Sequence, residues 1–297
     1  MMLPVTATLI HVYSSLHLHG GMADIENYLR SIGVDVHMMP LRSYPKFLSR
    51  TLRGKSNKFD GIAKSWMRKE VLKVDHVFLW NGESIYTETI RWACWKEEVP
   101  CSIVEVGYFP QKHFFVLDSQ GINATSSLMH DSLDWVETKH HNKVKSIRES
   151  HLRGRQWKGG GGYILIPLQL ASDTNIVNNS DFSTMTEFVR HCEATFPNKK
   201  LRFKRHPLDT ENYNSAHPIH TDGDFLDLAV DADLVYGINS TCLLESLLLG
   251  APTESIGKGF IAAHKHQPDK LLAALVDKQI PVGEKNISYW LKKYCAK

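Results

Sequence analysis

Short apolar runs rich in β-branched and aromatic residues recur along this chain, each bounded by turn-forming residues and followed by a stretch of helical spacing. Residues 6–13, 34–39, 75–80 and 102–106 have the strand character, and 22–32 and 87–97 the helical one. Parallel strands need a crossover between them, so this alternation predicts a parallel sheet with helices on its faces. The rhythm breaks at the basic segment 139–158, which runs into Gly159-Gly-Gly-Gly162. Four successive glycines lose too much backbone entropy to sit inside a regular element, and the segment reads as a linker. Beyond it the pattern restarts, with strands at 163–167, 201–204, near Ile219, at 234–236 and at 253–256. Helices are expected at 183–196, 225–232 and 242–249, with an amphipathic helical tail at 287–297. At 297 residues the chain is long enough for two such units. The expected fold class is α/β, two Rossmann-like domains with a cleft between them. Residues 1–158 form the first, on the acceptor side, and 159–297 the second, which binds the donor nucleotide; the C-terminal helix is able to return to the first.

A hydrophobic share of 42% with 23% charged residues places the chain among globular proteins rather than disordered ones. No apolar run approaches the length of a membrane span, and the first thirteen residues lack the pattern of a secretory signal, so a cytoplasmic location is expected. The five cysteines are scattered and contain no CxxC pair, which fits reduced thiols. A formal charge of +3 is too small to argue for nucleic acid as a partner. Residues 42–73 are locally different, because ten basic side chains are interleaved there with Tyr44, Phe47, Leu48, Ile62 and Trp66. Such a segment either rests on an anionic membrane, at the inner face of the cytoplasmic membrane, or forms a solvated helix pair with its apolar stripe turned inward.

In an open α/β sheet, ligands bind outside the carboxyl ends of the strands, so the residues just after each strand carry most of the functional weight. Four polar clusters fall there. Asn239, Ser240 and Thr241 follow a strand and open a helix, where unpaired N–H groups, the helix dipole and two hydroxyls can face a phosphate. The same turn is also a standard N-cap, and the two uses are compatible. His206 follows Lys204 and Arg205 and precedes Pro207, which bars regular continuation and sets the imidazole on a rigid turn. Gln169 and Asp173 share the loop after the strand at 163–167, and Glu105 ends a strand of the first domain, across the expected cleft. Two carboxylates are what glycosyl chemistry requires, one to attack or stabilise the sugar and one to handle a proton, although either can instead cap a helix or pair in a loop. His17, His19, His140 and His141 have no partner at zinc-site spacing, so no metal is expected. A Walker loop, a GxGxxG after a strand and a GxSxG elbow are all missing from the sequence.

Taken in order, these clusters resemble the motifs of the capsule polysaccharide biosynthesis family of bacterial Kdo transferases. The matching segments are Glu105-Val-Gly-Tyr108, Leu117-Asp-Ser-Gln-Gly-Ile122, Pro167-Leu-Gln-Leu-Ala-Ser-Asp173, Lys204-Arg-His-Pro207 and Asn239-Ser-Thr-Cys-Leu-Leu-Glu245. The resemblance implies a GT-B-like fold, CMP-Kdo as donor, and a surface glycan or glycolipid as acceptor, with no cofactor. It implies that Asp173 is the nucleophile of a retaining double displacement and that Glu105 is the acid/base. His206, Lys204, Asn239, Ser240, Thr241, Glu245 and Gln169 fall at donor and phosphate positions. The sequence departs from the family where Val106 stands for a common aspartate, where Arg205 replaces a proline, and where Gly257-Lys-Gly-Phe260 is a reduced form of a longer motif. Two other readings stay open: a transferase for another CMP-linked ulosonic acid such as sialic acid, and a catalytically silent nucleotide-sugar-binding subunit.

Overall fold

The apolar runs form strands and the segments between them form helices in a computed structural model of the chain, which describes residues 6–11, 20–40, 60–81, 85–170 and 173–295. In chain order the first elements are β1 (Thr6–His11), α1 (Gly20–Ser31), β2 (Asp35–Pro40), α2 (Asp60–Val71), β3 (His76–Trp80), α3 (Ile85–Lys96), β4 (Cys101–Val106) and β5 (Phe114–Asp118). There follow α4 (Thr138–Leu152), β6 (Tyr163–Pro167), α5 (Thr174–Asn179), α6 (Met185–Thr195), β7 (Lys200–Lys204), β8 (Ile219–His220), α7 (Phe225–Ala229) and β9 (Leu234–Gly237). The chain continues through α8 (Thr241–Leu249), β10 (Thr253–Ser255), α9 (Phe260–Ala263), α10 (Pro268–Lys278), β11 (Ile280–Pro281) and α11 (Ile287–Tyr294). Residues 42–59 of the basic segment, and His17 and His19, lie outside the described residues. Among the described residues no helix is long and apolar enough to cross a membrane.

Two units emerge, one made of residues 1–127 with 278–297, the other of 128–277. In the first, the sheet order is β11-β5-β4-β3-β1-β2, parallel from β4 to β2, with β5 and β11 antiparallel. Every residue of β3 is buried because both sheet faces are covered. Phe78 and Trp80 pack with Met22, Ile25 and Leu29 of α1 and with Ile287 and Leu291 of α11, while Val77 and Leu79 pack with Val71, Ile90 and Cys94 on the other face. In the second unit all five strands are parallel, in the order β10-β9-β6-β7-β8.

The division differs from the boundary expected at residue 158. Its reason lies in where the backbone donors go. The N–H groups of Lys158 and Gly159 bond the Val230 carbonyl, Gly161 bonds the Asp231 carbonyl, and Gly160 bonds the Asp233 carboxylate. Gly159, Gly160 and Gly162 hold positive φ, and a Cβ on Gly161 would stand 2.6 Å from the Asp231 carbonyl oxygen. The glycine run is thus a folded lead-in to β6. The segment before it, expected as a linker, contains α4, which is fastened to the second unit by Arg148 Nε donating to the Leu248 carbonyl and by Lys143 pairing with Asp277.

At the other end of β5, Asp118 is buried and collects donors from several directions. Its carboxylate accepts from the N–H groups of Gln120 and Gly121 at 2.7 and 3.1 Å, and from the hydroxyls of Ser126 and Ser127 at 2.7 and 2.8 Å. The equally buried Lys278 completes the set with Nζ 2.9 Å from Oδ2. Burial alone would raise the Asp118 pKa, but Lys278 and the surrounding donors outweigh it and hold the carboxyl below its ordinary value. A group whose folded pKa is depressed stabilises fully above its unfolded value and loses that contribution as pH falls through the folded one. Lys278→Met, which strands the carboxylate without its counter-charge, is expected to destabilise the first unit by about 3–5 kcal/mol at neutral pH. The deficit should narrow below about pH 4, near the unfolded aspartate value. Urea unfolding followed by circular dichroism at neutral and acid pH measures both.

Candidate functional site

The second sheet begins with β6, extends through β7 and β8 on one side, and then returns through β9 and β10 on the other. Strand order therefore reverses between β6 and β9, and the carboxyl ends of these two strands flank the crevice that such a reversal opens. The loop after β6 carries Gln169 and Asp173, and the loop after β9 carries Asn239 and Ser240.

Gln169 joins the two loops. Its buried amide donates through Nε2 to Asp173 Oδ2 at 2.8 Å and to Asn239 Oδ1 at 3.2 Å, and its Oε1 accepts from the Asn239 backbone N–H at 3.4 Å. This orientation sets the amide nitrogen against two oxygens and the amide oxygen against an N–H, so each contact pairs a donor with an acceptor. Backbone bonds brace the same loop, with Leu168 N–H on the Lys204 carbonyl at 2.8 Å and Asp173 N–H on the Leu170 carbonyl at 2.9 Å.

Asn239 extends the network to a third strand end. Its Nδ2 donates to the Lys258 carbonyl at 3.2 Å, and Lys258 N–H donates in turn to the Asn179 carbonyl at 2.7 Å. Gly257 permits this approach, since a Cβ there would lie 2.6 Å from Ile238 and 3.0 Å from two carbonyl oxygens. The turn after β10 is thus part of the site's wall. Only the Gly-Lys-Gly spelling at 257–259 signalled it in the sequence. Ser240 is the N-cap of α8, with Oγ accepting from Cys242 N–H at 3.3 Å, and Thr241 is the first helical residue. The capping use of this turn is therefore realised, and it aims the start of the helix beside Asn239.

Lys204 ends β7 with a buried side chain whose Nζ donates to the Thr221 carbonyl at 3.0 Å. Its charge is felt at Cys242, whose thiol is pushed up to about 12, chiefly by burial and then by Glu245, against the opposing pull of Lys204. His206 is held within its own turn: Nδ1 accepts from the Leu208 N–H at 3.2 Å, which puts the ring proton on Nε2 and makes that atom a donor. Glu245, on α8, faces α4, where its Oε1 lies 3.0 Å from His151 Nε2.

In the first unit, Glu105 is the penultimate residue of β4, at the carboxyl edge of that sheet, and its Oε1 accepts from the Val106 N–H at 2.9 Å. Tyr108 lies close by. Its hydroxyl pKa is raised by burial first, then by the charges of Asp118 and Glu105. His140 accepts through Nδ1 from the Glu137 N–H at the start of α4. Among the described residues no group of three or more His, Cys, Asp or Glu side chains is arranged to hold a metal ion.

No family model matches the chain, and no curated protein matches it in sequence. Solved structures do resemble it. The KpsC β-Kdo 2,7 transferase of Thermosulfurimonas dismutans is 17% identical, with 91% of this chain and 89% of that one covered at a TM-score of 0.58. The KpsC β-Kdo 2,4 transferase of the same organism is 14% identical, covering 90% and 89% at a TM-score of 0.57. The chain has the fold of these two structures, as the α/β class with two Rossmann-like units expects.

The Gln169 network makes a definite claim on stability. Gln169→Leu keeps the volume but leaves the Asn239 N–H and the facing oxygens without the amide, and is expected to cost about 1–3 kcal/mol. The thermal or urea unfolding of the second unit, compared with the parent protein, reads the loss.

Proposed function

We propose that the chain is a glycosyltransferase that moves Kdo from CMP-Kdo to a bacterial surface glycan or glycolipid, with retention of configuration. The observation that carries this reading is the amide of Gln169, which holds the Asp173 carboxylate and the Asn239 turn together at the strand-order reversal of the second unit. A fold shared with two β-Kdo transferases over nine-tenths of the chain supports the choice of sugar.

In the proposed reaction, an Asp173 carboxylate oxygen attacks the anomeric carbon of Kdo as the bond to the CMP phosphate breaks, giving a glycosyl ester and free CMP. An acceptor hydroxyl then displaces Asp173 from the opposite face, and its proton passes to Glu105. Two inversions retain the configuration. The departing phosphate carries the developing charge. The helix start at Ser240 and Thr241, the Nε2–H of His206 and the ammonium of Lys204 are the donors assigned to it. These fixed donors serve a monophosphate leaving group, so no metal or cofactor enters the proposal. Gln169 orients the nucleophile through a neutral amide, and Asn239 positions the turn that meets the donor.

Incubation with CMP-Kdo, followed by intact-protein mass measurement, tests the assignment. A covalent Kdo adduct is expected, absent from Asp173→Ala, together with turnover at least ~1,000-fold lower in that variant. Unchanged turnover in Asp173→Ala refutes the nucleophile. An adduct from CMP-sialic acid but not from CMP-Kdo moves the donor to another ulosonic acid. CMP binding with no transfer or hydrolysis identifies a silent binding subunit instead.

A further inference from the structure

The carboxyl end of β7 carries more positive charge than the protein around it balances. Lys204 is buried, donates from Nζ to the Thr221 carbonyl at 3.0 Å, and has no carboxylate partner among the described residues. An ammonium has three N–H donors, so this single bond leaves it underused. Arg205 follows directly. Its backbone N–H bonds the His220 carbonyl at 2.9 Å. Its guanidinium forms no hydrogen bond or ion pair among the described residues, and its Nε is buried without a partner. His220, paired with Lys204 across the β7–β8 ladder, has a buried Nε2 in the same condition. A buried polar group without a partner costs free energy, and native proteins hold few of them. Two at one corner of a sheet, beside a buried ammonium with no counter-charge, mark a place that an anion completes.

The guanidinium is held in position all the same. Its Cζ lies 6.0 Å from the centroid of the buried Tyr213 ring. The Tyr213 hydroxyl donates to the buried Asp209 carboxylate at 2.6 Å, and the Asp209 N–H donates to the His206 carbonyl at 2.9 Å. Asp209 is thus engaged by Tyr213, and by the Glu211 N–H at 3.2 Å, instead of by the arginine. An aromatic ring against a guanidinium steadies the cation without consuming its N–H groups, which stay available to a planar acceptor with two oxygens.

In CMP-Kdo the phosphodiester and the sugar's own carboxylate are both attached to the anomeric carbon, with one negative charge each. The phosphate already has its donors in the α8 start, His206 and Lys204. Resting on that transferase reading, we propose that Arg205 is the specificity-determining residue of the donor site, its guanidinium fork taking the sugar carboxylate in two parallel hydrogen bonds. Two cations then meet two anions. A donor whose sugar is neutral leaves the guanidinium uncompensated and binds less tightly.

Titration with CMP-Kdo and with CMP separates this contact from the phosphate contacts, because CMP lacks the carboxylate. An Asp173→Ala background keeps the proposed reaction from consuming the donor. Arg205→Gln is expected to weaken CMP-Kdo binding about 10- to 100-fold and CMP binding by less than about twofold. Arg205→Lys, which keeps the charge but loses the fork, should lie between the two for CMP-Kdo. The guanidinium makes no hydrogen bond in the free protein, so thermal unfolding of both variants without ligand should match the parent. An equal loss for both ligands places Arg205 at the phosphate or in the fold and overturns the proposal, as does CMP-Kdo binding that neither substitution changes. A parent protein that transfers no Kdo refutes the transferase reading alone, since the contrast between the two ligands is read without turnover.

Discussion

The first unit depends on one buried ion pair. Its chain leaves after Ser127 and returns at Lys278, and both of these residues bind the Asp118 carboxylate. A carboxylate taken out of water is tolerable only when its lone pairs are filled and its charge is met, and five N–H and O–H donors and an ammonium do so here. The consequence reaches beyond the pair. Lys278 leads directly into Ile280, which pairs with Phe115 at the sheet edge, and then into α11, whose Ile287 and Leu291 cover the same sheet face as α1. Gln279, between them, accepts from the N–H groups of Tyr108 and Phe109, just beyond Glu105. The returning segment thus completes the core of this unit and steadies the loop that follows its candidate acid/base.

In the second unit the corresponding constraint is topological. Because strand order reverses between β6 and β9, the loops after these strands diverge, and something must bridge them. A glutamine is well suited, since one planar amide can donate twice and accept once without adding charge. A cation in the same place would hold the carboxylate equally firmly but would withdraw electron density from it. A neutral amide orients a nucleophile while leaving more of that density available for attack. The positive charge of the site is placed one strand away, in Lys204 at the end of β7.

Legibility from the sequence followed burial. Tyr163–Pro167 shows as a strand at both ends because it is buried on both faces and every residue is apolar or aromatic. The helix Thr138–Leu152 does not show, because it buries only His140, Val144 and Leu152 and so carries almost no apolar period. β5 was hidden for a different reason: it turns back antiparallel to β4 without a crossover α-helix, and strand–helix alternation has no place for it. The glycine run misled because its partners, Val230, Asp231 and Asp233, are about seventy residues away, and a folded glycine turn is spelled like a flexible one. At the site, the positions after each strand were readable by motif order. The sharing of Gln169 between Asp173 and Asn239 was not, and neither was the engagement of Glu245 by His151. Both are tertiary contacts between residues that local pattern treats as independent.

The two edges of the first sheet differ in a way that parallel topology itself produces. At the carboxyl ends, strands give way to loops that are free to carry polar side chains, and Glu105 and the Tyr108 turn occupy them. At the amino ends, chains arrive from helix ends, and the residues there are those that finish packing a helix against the sheet, here Val99, Cys101 and Ile103 against α3. A gap left at that edge is apolar by construction, and polar groups such as His76 and Ser102 survive in it only by satisfying one another. The contrast between the two edges follows from how the sheet is wound.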